Sequence, residues 1–194
     1  MILGITGGMG CGKSTAAGLF EGRGFRRLDS DALIRDEVLT RPEVKRRLQE
    51  RFGPEVLRAD GTVDRTRVAQ RVFTDESELR WLEDLVHPPL YEIWREKFAA
   101  DPAAQWAVEV PLLFEKNLEN WFDFTVCVAC APAQQLARLE QRGLPHALAE
   151  QRISKQLPLA RKIELADFVL WNEGTAEFLQ DQVDQLLHAL PGVR

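Results

Sequence analysis

The chain has 194 residues, 45% of them hydrophobic and 28% charged, and its 30 acidic against 25 basic side chains give a formal net charge of −5 at pH 7. That length allows one sizeable domain, or one with a small inserted subdomain, and the composition excludes a disordered or fibrous chain. The acidic balance argues against nucleic acid as a general partner, and no run nears the ~20 apolar residues that cross a bilayer.

The first residues, Met-Ile-Leu-Gly-Ile-Thr, form no export signal, and the cysteines Cys11, Cys127 and Cys130 are odd in number. A cytoplasmic protein with reduced thiols is therefore expected, a monomer or weak homo-oligomer with no membrane partner. Cys127 and Cys130 form a CxxC, but inside an apolar run that reads as a strand, so they point to opposite faces and make no zinc or redox pair.

In chain order, Ile2 to Thr6 reads as a strand ending in glycines, and from Lys13 a helix carries Ala16, Leu19 and Phe20 on one face until Gly22 and Gly24. Phe25 to Leu28 is a second strand. Asp29-Ser30-Asp31 then supplies a turn and an N-cap for a helix with Leu33, Ile34 and Val38. Residues 42 to 100 read as helix after helix. Val44, Leu48 and Phe52 form one stripe, stopped at Gly53-Pro54, and Val68, Val72 and Phe73 form another. Asp75 with Glu78 resembles a capping box, and His87-Pro88-Pro89 is expected to break the helical pattern before a further helix with Leu90, Trp94 and Phe98.

Trp106 to Val110 resumes the strands, closed by Pro111, and Phe124 to Cys130 follows. Pro132 opens a helix with Leu136 and Leu139 inward that runs to Gly143. Two short helical stretches lead to a last strand, Phe168 to Trp171, the turn Asn172-Glu173-Gly174, and a closing helix marked by Leu179, Val183, Leu186 and Leu190. About five strands separated mainly by helices predict a parallel sheet covered on both faces.

The stretch GITGGMGCGKST, residues 4–15, carries the chemistry. Gly7, four residues, then Gly12-Lys13-Ser14 match GxxxxGK[ST] between a predicted strand and a predicted helix, the context the phosphate-binding loop requires. Its amides and the helix N-terminus face phosphate oxygens, Lys13 adds a mobile positive charge, and Ser14 would place its hydroxyl on Mg²⁺ bridging the β and γ phosphates. Gly8, Gly10 and Asp31 imitate a dinucleotide fingerprint, but position 13, where that pattern needs glycine, is lysine.

No guanine-specificity motif accompanies the loop; a helical insert follows the second strand and an arginine-rich helix the fourth, the layout of a small-molecule kinase with an acceptor lobe and a lid. Over almost the whole chain the sequence resembles the dephospho-CoA kinase family. The residues that carry the resemblance are TGGMGCGKST, DSD at 29 to 31, FGPEVLRADGTVDRTRVAQRVFTD followed by LEDLVHPPL, EVPLLFE at 109 to 115, RLEQRG at 138 to 143, and RISKQLPLARKIELADFVLWNEG at 152 to 174.

The resemblance implies a three-layer α/β fold of the P-loop kinase type. Its core is residues 1–31, 104–137 and 160–194, its helical acceptor-binding insert about 32–103, and its lid about 138–159. It implies transfer of the ATP γ-phosphoryl group to the ribose 3′-hydroxyl of dephospho-CoA, with Mg²⁺. A nucleoside or nucleotide kinase is the alternative enzyme, and a nucleotide-dependent binding switch the alternative class.

ATP would lie on Gly8, Gly10, Cys11, Gly12, Lys13, Ser14 and Thr15. Asp31 is the base for the acceptor hydroxyl or else a helix N-cap, with Asp29 beside it on the ribose or the metal's waters. Glu109, where the family commonly has Asp, faces the phosphates or is a strand-end charge; with Leu112 and His87 it completes the acceptor side, His87 being alternatively a packing residue. Arg138 and Arg142, four apart on one predicted helix, clamp migrating charge or form a solvated face with Glu140 and Glu150. Asn172 reads the adenine or makes an ordinary turn.

Overall fold

A computed structural model describes residues 1–72 and 75–191; Phe73, expected in one stripe with Val68 and Val72, lies outside them. The residues divide into two compact units, one made of Met1–Asp29 with Ala103–Arg194, the other of Ser30–Pro102.

In the first unit five strands form one parallel sheet: β1 (Ile2–Gly7), β2 (Arg26–Asp29), β3 (Trp106–Glu109), β4 (Phe124–Ala129) and β5 (Phe168–Trp171), in the order β2-β3-β1-β4-β5. Alternation along β1 sorts its two faces. Leu3 and Ile5, fully buried, join Ala107, Val126, Val128 and Leu170 against helices α1 (Lys13–Glu21) and α9 (Ala176–Ala189), through Ala16, Ala17, Phe20, Leu179 and Val183. Gly4 and Thr6 face the other way. A Cβ on Gly4 would stand 2.7 Å from Leu113 and Phe122, so glycine lets the segment after β3 lie flat on the sheet.

On that second face lies α8 (Leu159–Leu165), whose Lys162 is fully buried. Its ammonium bonds the Pro111 carbonyl and Glu115 Oε1, both at 2.8 Å, and the same Oε1 accepts the Leu157 N–H at 3.0 Å. Glu115 Oε2 is buried with no hydrogen-bond partner among the described residues, so the carboxylate depends on the lysine for its charge balance. At the start of β4 and β5, Asp167 accepts both the N–H and the hydroxyl of Thr125 at 2.7 Å, tying the two strands together.

The rest of the first unit is α6 (Pro132–Gln141) and α7 (His146–Ser154). The helix expected to contain both Arg138 and Arg142 stops at Gln141, and Arg142 is the residue that caps it. Gly143, left-handed at φ 81°, follows, because a glycine there lets the chain turn out of the helix.

The second unit is helical: α2 (Ser30–Leu33) running into a wider π turn (Ile34–Val38), then α3 (Pro42–Phe52), α4 (Arg65–Val72) and α5 (Glu76–Ala100). Val44, Leu48 and Phe52 are buried as their spacing predicts. Two expectations change. The helix after β2 begins at Ser30, so Asp31 lies inside its first turn and is not the N-cap. His87-Pro88-Pro89 does not break the chain: α5 is one helix of 25 residues. Each proline costs a backbone bond and about 3 kcal/mol in a helix interior, but Leu85, Val86, Leu90, Ile93 and Trp94 are buried on both sides of the pair, at roughly 1.5–3 kcal/mol each. Asp75 does cap this helix, accepting the Ser77 N–H at 2.8 Å. No helix of the described residues is long and apolar enough to cross a membrane.

Lys162→Met should strand Glu115 as a buried charge and lower stability by about 3–5 kcal/mol in denaturant unfolding. Adding Glu115→Gln, which keeps an acceptor for Leu157 and removes the charge, should recover more than half of that loss. A single variant as stable as the parent would show that the pair contributes nothing.

Candidate active site

In the sheet the connections from the adjacent strands β1 and β3 leave in opposite directions, to β2 on one side and β4 on the other. Such a switch point opens a crevice at the carboxyl ends of the strands. The ends that flank it here are Gly7, where the glycine-rich loop starts, and Glu109, paired in register with Asp29 of β2.

The loop is held by its own geometry and by two other elements. Cys11 N–H bonds Gly8 O at 3.2 Å, and Ala16 N–H bonds Gly12 O at 3.0 Å, starting α1. Gly12 is left-handed, with φ 98°, and a Cβ there would also lie 2.2 Å from Asn172 Nδ2, so both backbone and space require glycine. Asn172, just past β5, donates Nδ2–H to Cys11 O at 2.8 Å, while its own N–H bonds Ala129 O at 2.8 Å. Arg138 on α6 donates to Asn172 O at 2.8 Å and more weakly to Cys11 O at 3.5 Å. Also from α6, Gln135 donates Nε2–H to Met9 O at 2.9 Å.

Lys13 Nζ lies on the loop's own carbonyls, 3.3 Å from Gly7 O and 3.1 Å from Gly8 O. Ser14, in the first turn of α1, donates Oγ–H to Glu109 Oε2 at 2.8 Å. Glu109 is only 4% exposed, and Arg27 of β2 donates Nε–H to its other oxygen at 2.7 Å. A buried carboxylate is thus joined to the loop hydroxyl on one side and neutralised by a guanidinium on the other. Glu109 is accordingly more than a charge at the end of a strand.

Below the loop, Cys130 donates its S–H to Cys11 Sγ at 3.4 Å, and both are buried. That bond, with help from the Lys13 charge and against the effect of burial, lowers the Cys11 thiol from its ordinary value; the same bond raises Cys130. Cys127 does face away from this pair and is pushed up to about 11 by burial. Its CxxC partner therefore meets Cys11, a contact between residues 119 positions apart that spacing does not reveal.

The residues expected to carry the chemistry thus fall into three sets. Gly8, Gly10, Cys11, Gly12, Lys13, Ser14, Arg138, Asn172 and Glu109 converge on the loop, with Asp29 in register beside Glu109. Thr15 is an exposed residue of the first turn of α1, Leu112 is half-buried two residues past Val110, and Arg142 is exposed at the end of α6. Asp31 and His87 belong to the helical unit, His87 within α5 and stacked on Tyr91 with ring centroids 5.9 Å apart. Arg138 does not form a solvated face with Glu140 and Glu150; those two carboxylates meet His146 instead, at 2.5 and 3.5 Å.

Gln135 and Arg27 were not expected here. A trace of Gln135 exists in the sequence, because it sits four residues before Leu139, on the inward stripe of α6, where an apolar residue is the norm. Arg27 carries no such trace, since its partner lies 82 residues away on the strand beyond the helical insert, and only the pairing of the two strands brings them together.

Comparison with known proteins agrees with this geometry. The family model for dephospho-CoA kinase matches residues 1–177. The dephospho-CoA kinase of Thermosynechococcus vestitus is 42% identical over 190 residues, covering 97% of this chain and 94% of that one. A crystal structure of a protein from Thermus thermophilus superposes with a TM-score of 0.83 at 35% identity, over 99% of this chain and 98% of that one. The dephospho-CoA kinase from Campylobacter jejuni, 21% identical, shares the fold with a TM-score of 0.70 over 96% of this chain and 95% of that one. With a glycine loop, its lysine and its serine set around a buried acid at the switch point of a five-stranded parallel sheet, the chain belongs to the dephospho-CoA kinase family.

Proposed function

We propose that the protein transfers the γ-phosphoryl group of ATP to the ribose 3′-hydroxyl of dephospho-CoA, giving coenzyme A and ADP, the last step of coenzyme A biosynthesis. The observation that carries this reading is the Ser14–Glu109 contact at the mouth of the phosphate loop, in a chain that its family matches from residue 1 to residue 177. Its free, buried cysteines suit a reducing cytoplasm, and a monomer or weak homo-oligomer meets the needs of the chemistry.

Transfer of a phosphoryl group is mainly a matter of position and charge. The loop amides and Lys13 receive the β and γ phosphates, with Lys13 exchanging the carbonyls of Gly7 and Gly8 for phosphate oxygens. Ser14 and Glu109 offer a hard oxygen pair at 2.8 Å, a donor set that fits Mg²⁺, which takes one or two protein oxygens and completes its shell with phosphate and water. That ion, when bound, offsets charge on the transferring group. Arg138, in the last turn of α6, and Arg142, at its cap, serve the phosphates, Arg142 as part of a lid over residues 138–159. Asp31, two residues past β2, accepts the proton of the acceptor hydroxyl, with Asp29, His87 and Leu112 on the acceptor side.

Three outcomes follow. In a coupled ADP-release assay dephospho-CoA should be consumed while adenosine, nucleoside monophosphates and buffer give only background; equal rates for all would refute the assigned acceptor. Asp31→Asn should lower kcat by about 10²–10⁴-fold with the KM for ATP within about twofold, and unchanged turnover at saturation would remove Asp31 from the reaction. Calorimetric ATP affinity should gain less from added Mg²⁺ in Glu109→Gln than in the parent, and an identical gain would separate Glu109 from the metal.

A further inference from the structure

We infer that Gln135 is a positioning residue for the phosphate cradle: by holding the Met9 carbonyl outward, its side-chain amide turns the Gly10 N–H toward the polyphosphate. The inference rests on the reading of residues 7–15 as the ATP phosphate site. A trans peptide is planar, with its C=O and N–H pointing opposite ways, so whatever fixes one fixes the other. The Met9 carbonyl and the Gly10 N–H belong to one such plane. With the Gln135 amide 2.9 Å from that carbonyl, the Gly10 N–H is directed away from α6.

The contact is built rather than incidental. Gln135 is a polar side chain only 4% exposed, and a Cβ on Gly8 would stand 2.4 Å from its Nε2, so the loop rests directly on the amide. A Cβ on Gly10 would likewise come within 3.0 Å of the Gln135 carbonyl. Two peptides further on, the same logic applies to Asn172, whose 2.8 Å bond to Cys11 O orients the Gly12 N–H. Two amide side chains from different elements thus hold alternate planes of the loop before the ligand arrives, which removes part of the ordering cost from binding. Gln135 touches no substrate and acts through Met9.

The test uses inorganic tripolyphosphate as the probe of the cradle and dephospho-CoA as a control ligand. Gln135→Met keeps the length and loses the donor; Gln135→Glu keeps the shape and replaces the donor with an acceptor. In the folded Met variant, tripolyphosphate affinity and the KM for ATP should weaken by about three- to tenfold, the effect of one hydrogen bond. The KM for dephospho-CoA and kcat should stay within about twofold. The Glu variant should show a loss at pH 8 that shrinks toward pH 5.5 relative to the parent, because a protonated carboxyl group can again donate to Met9 O. Unchanged tripolyphosphate affinity in both folded variants, or a loss shared equally by dephospho-CoA, would overturn the role. Failure of the parent to bind tripolyphosphate would instead refute the phosphate-site reading itself, and the role with it.

Discussion

A loop whose amides converge on one anion must turn its carbonyls outward, and a carbonyl turned away from solvent needs a donor. That requirement organises the first unit of this protein. Gly8 O takes the Cys11 N–H, Met9 O takes Gln135, and Cys11 O takes Asn172 with Arg138. The side-chain donors come from α6 and from the end of β5, so the loop depends on β4 lying beside β1 and β5 beside β4. The order of the strands is thereby part of the chemistry, because it delivers residues 135, 138 and 172 to a loop at residues 8–12.

Charge is arranged with the same economy. Lys13 rests on the loop's own carbonyls, those of Gly7 and Gly8. Glu109 is held in a nearly closed position by Arg27 and Ser14, which bond one oxygen each. Glutamate reaches one methylene further than aspartate, and Arg27 on the next strand is what holds that longer side chain in place. On the opposite face of the sheet, Lys162 and Glu115 form a second buried pair, which fixes the segment after β3 to α8 and the residues before it. Both pairs join elements distant in sequence, where a misplaced partner would leave a buried charge.

Most of the scaffold is legible from local patterns. The five strands, the glycine loop between strand and helix, the stripe of Val44, Leu48 and Phe52, and the cap at Asp75 all follow from periodicity and end chemistry, since each depends on neighbours within a few residues. The double proline at 88–89 misleads because local propensity is weaker than the burial of Leu85 through Trp94, a quantity set by packing. Asp31 misleads more gently: Asp29-Ser30-Asp31 offers several starts to a helix, and the backbone takes the one at Ser30.

By itself, then, the amino-acid sequence determined the phosphate loop, the parallel α/β class and the family, because each of these is written in contiguous residues. Tertiary structure alone decided that Cys130 meets Cys11, that Arg27 pairs with Glu109, and that Gln135 and Asn172 pin alternate carbonyls of the loop. Those contacts join residues 82 to 161 positions apart. No spacing rule reaches that far: the meeting of two such groups depends on strand order and crossover path, which arise from the burial of whole faces and not from any short stretch of chain.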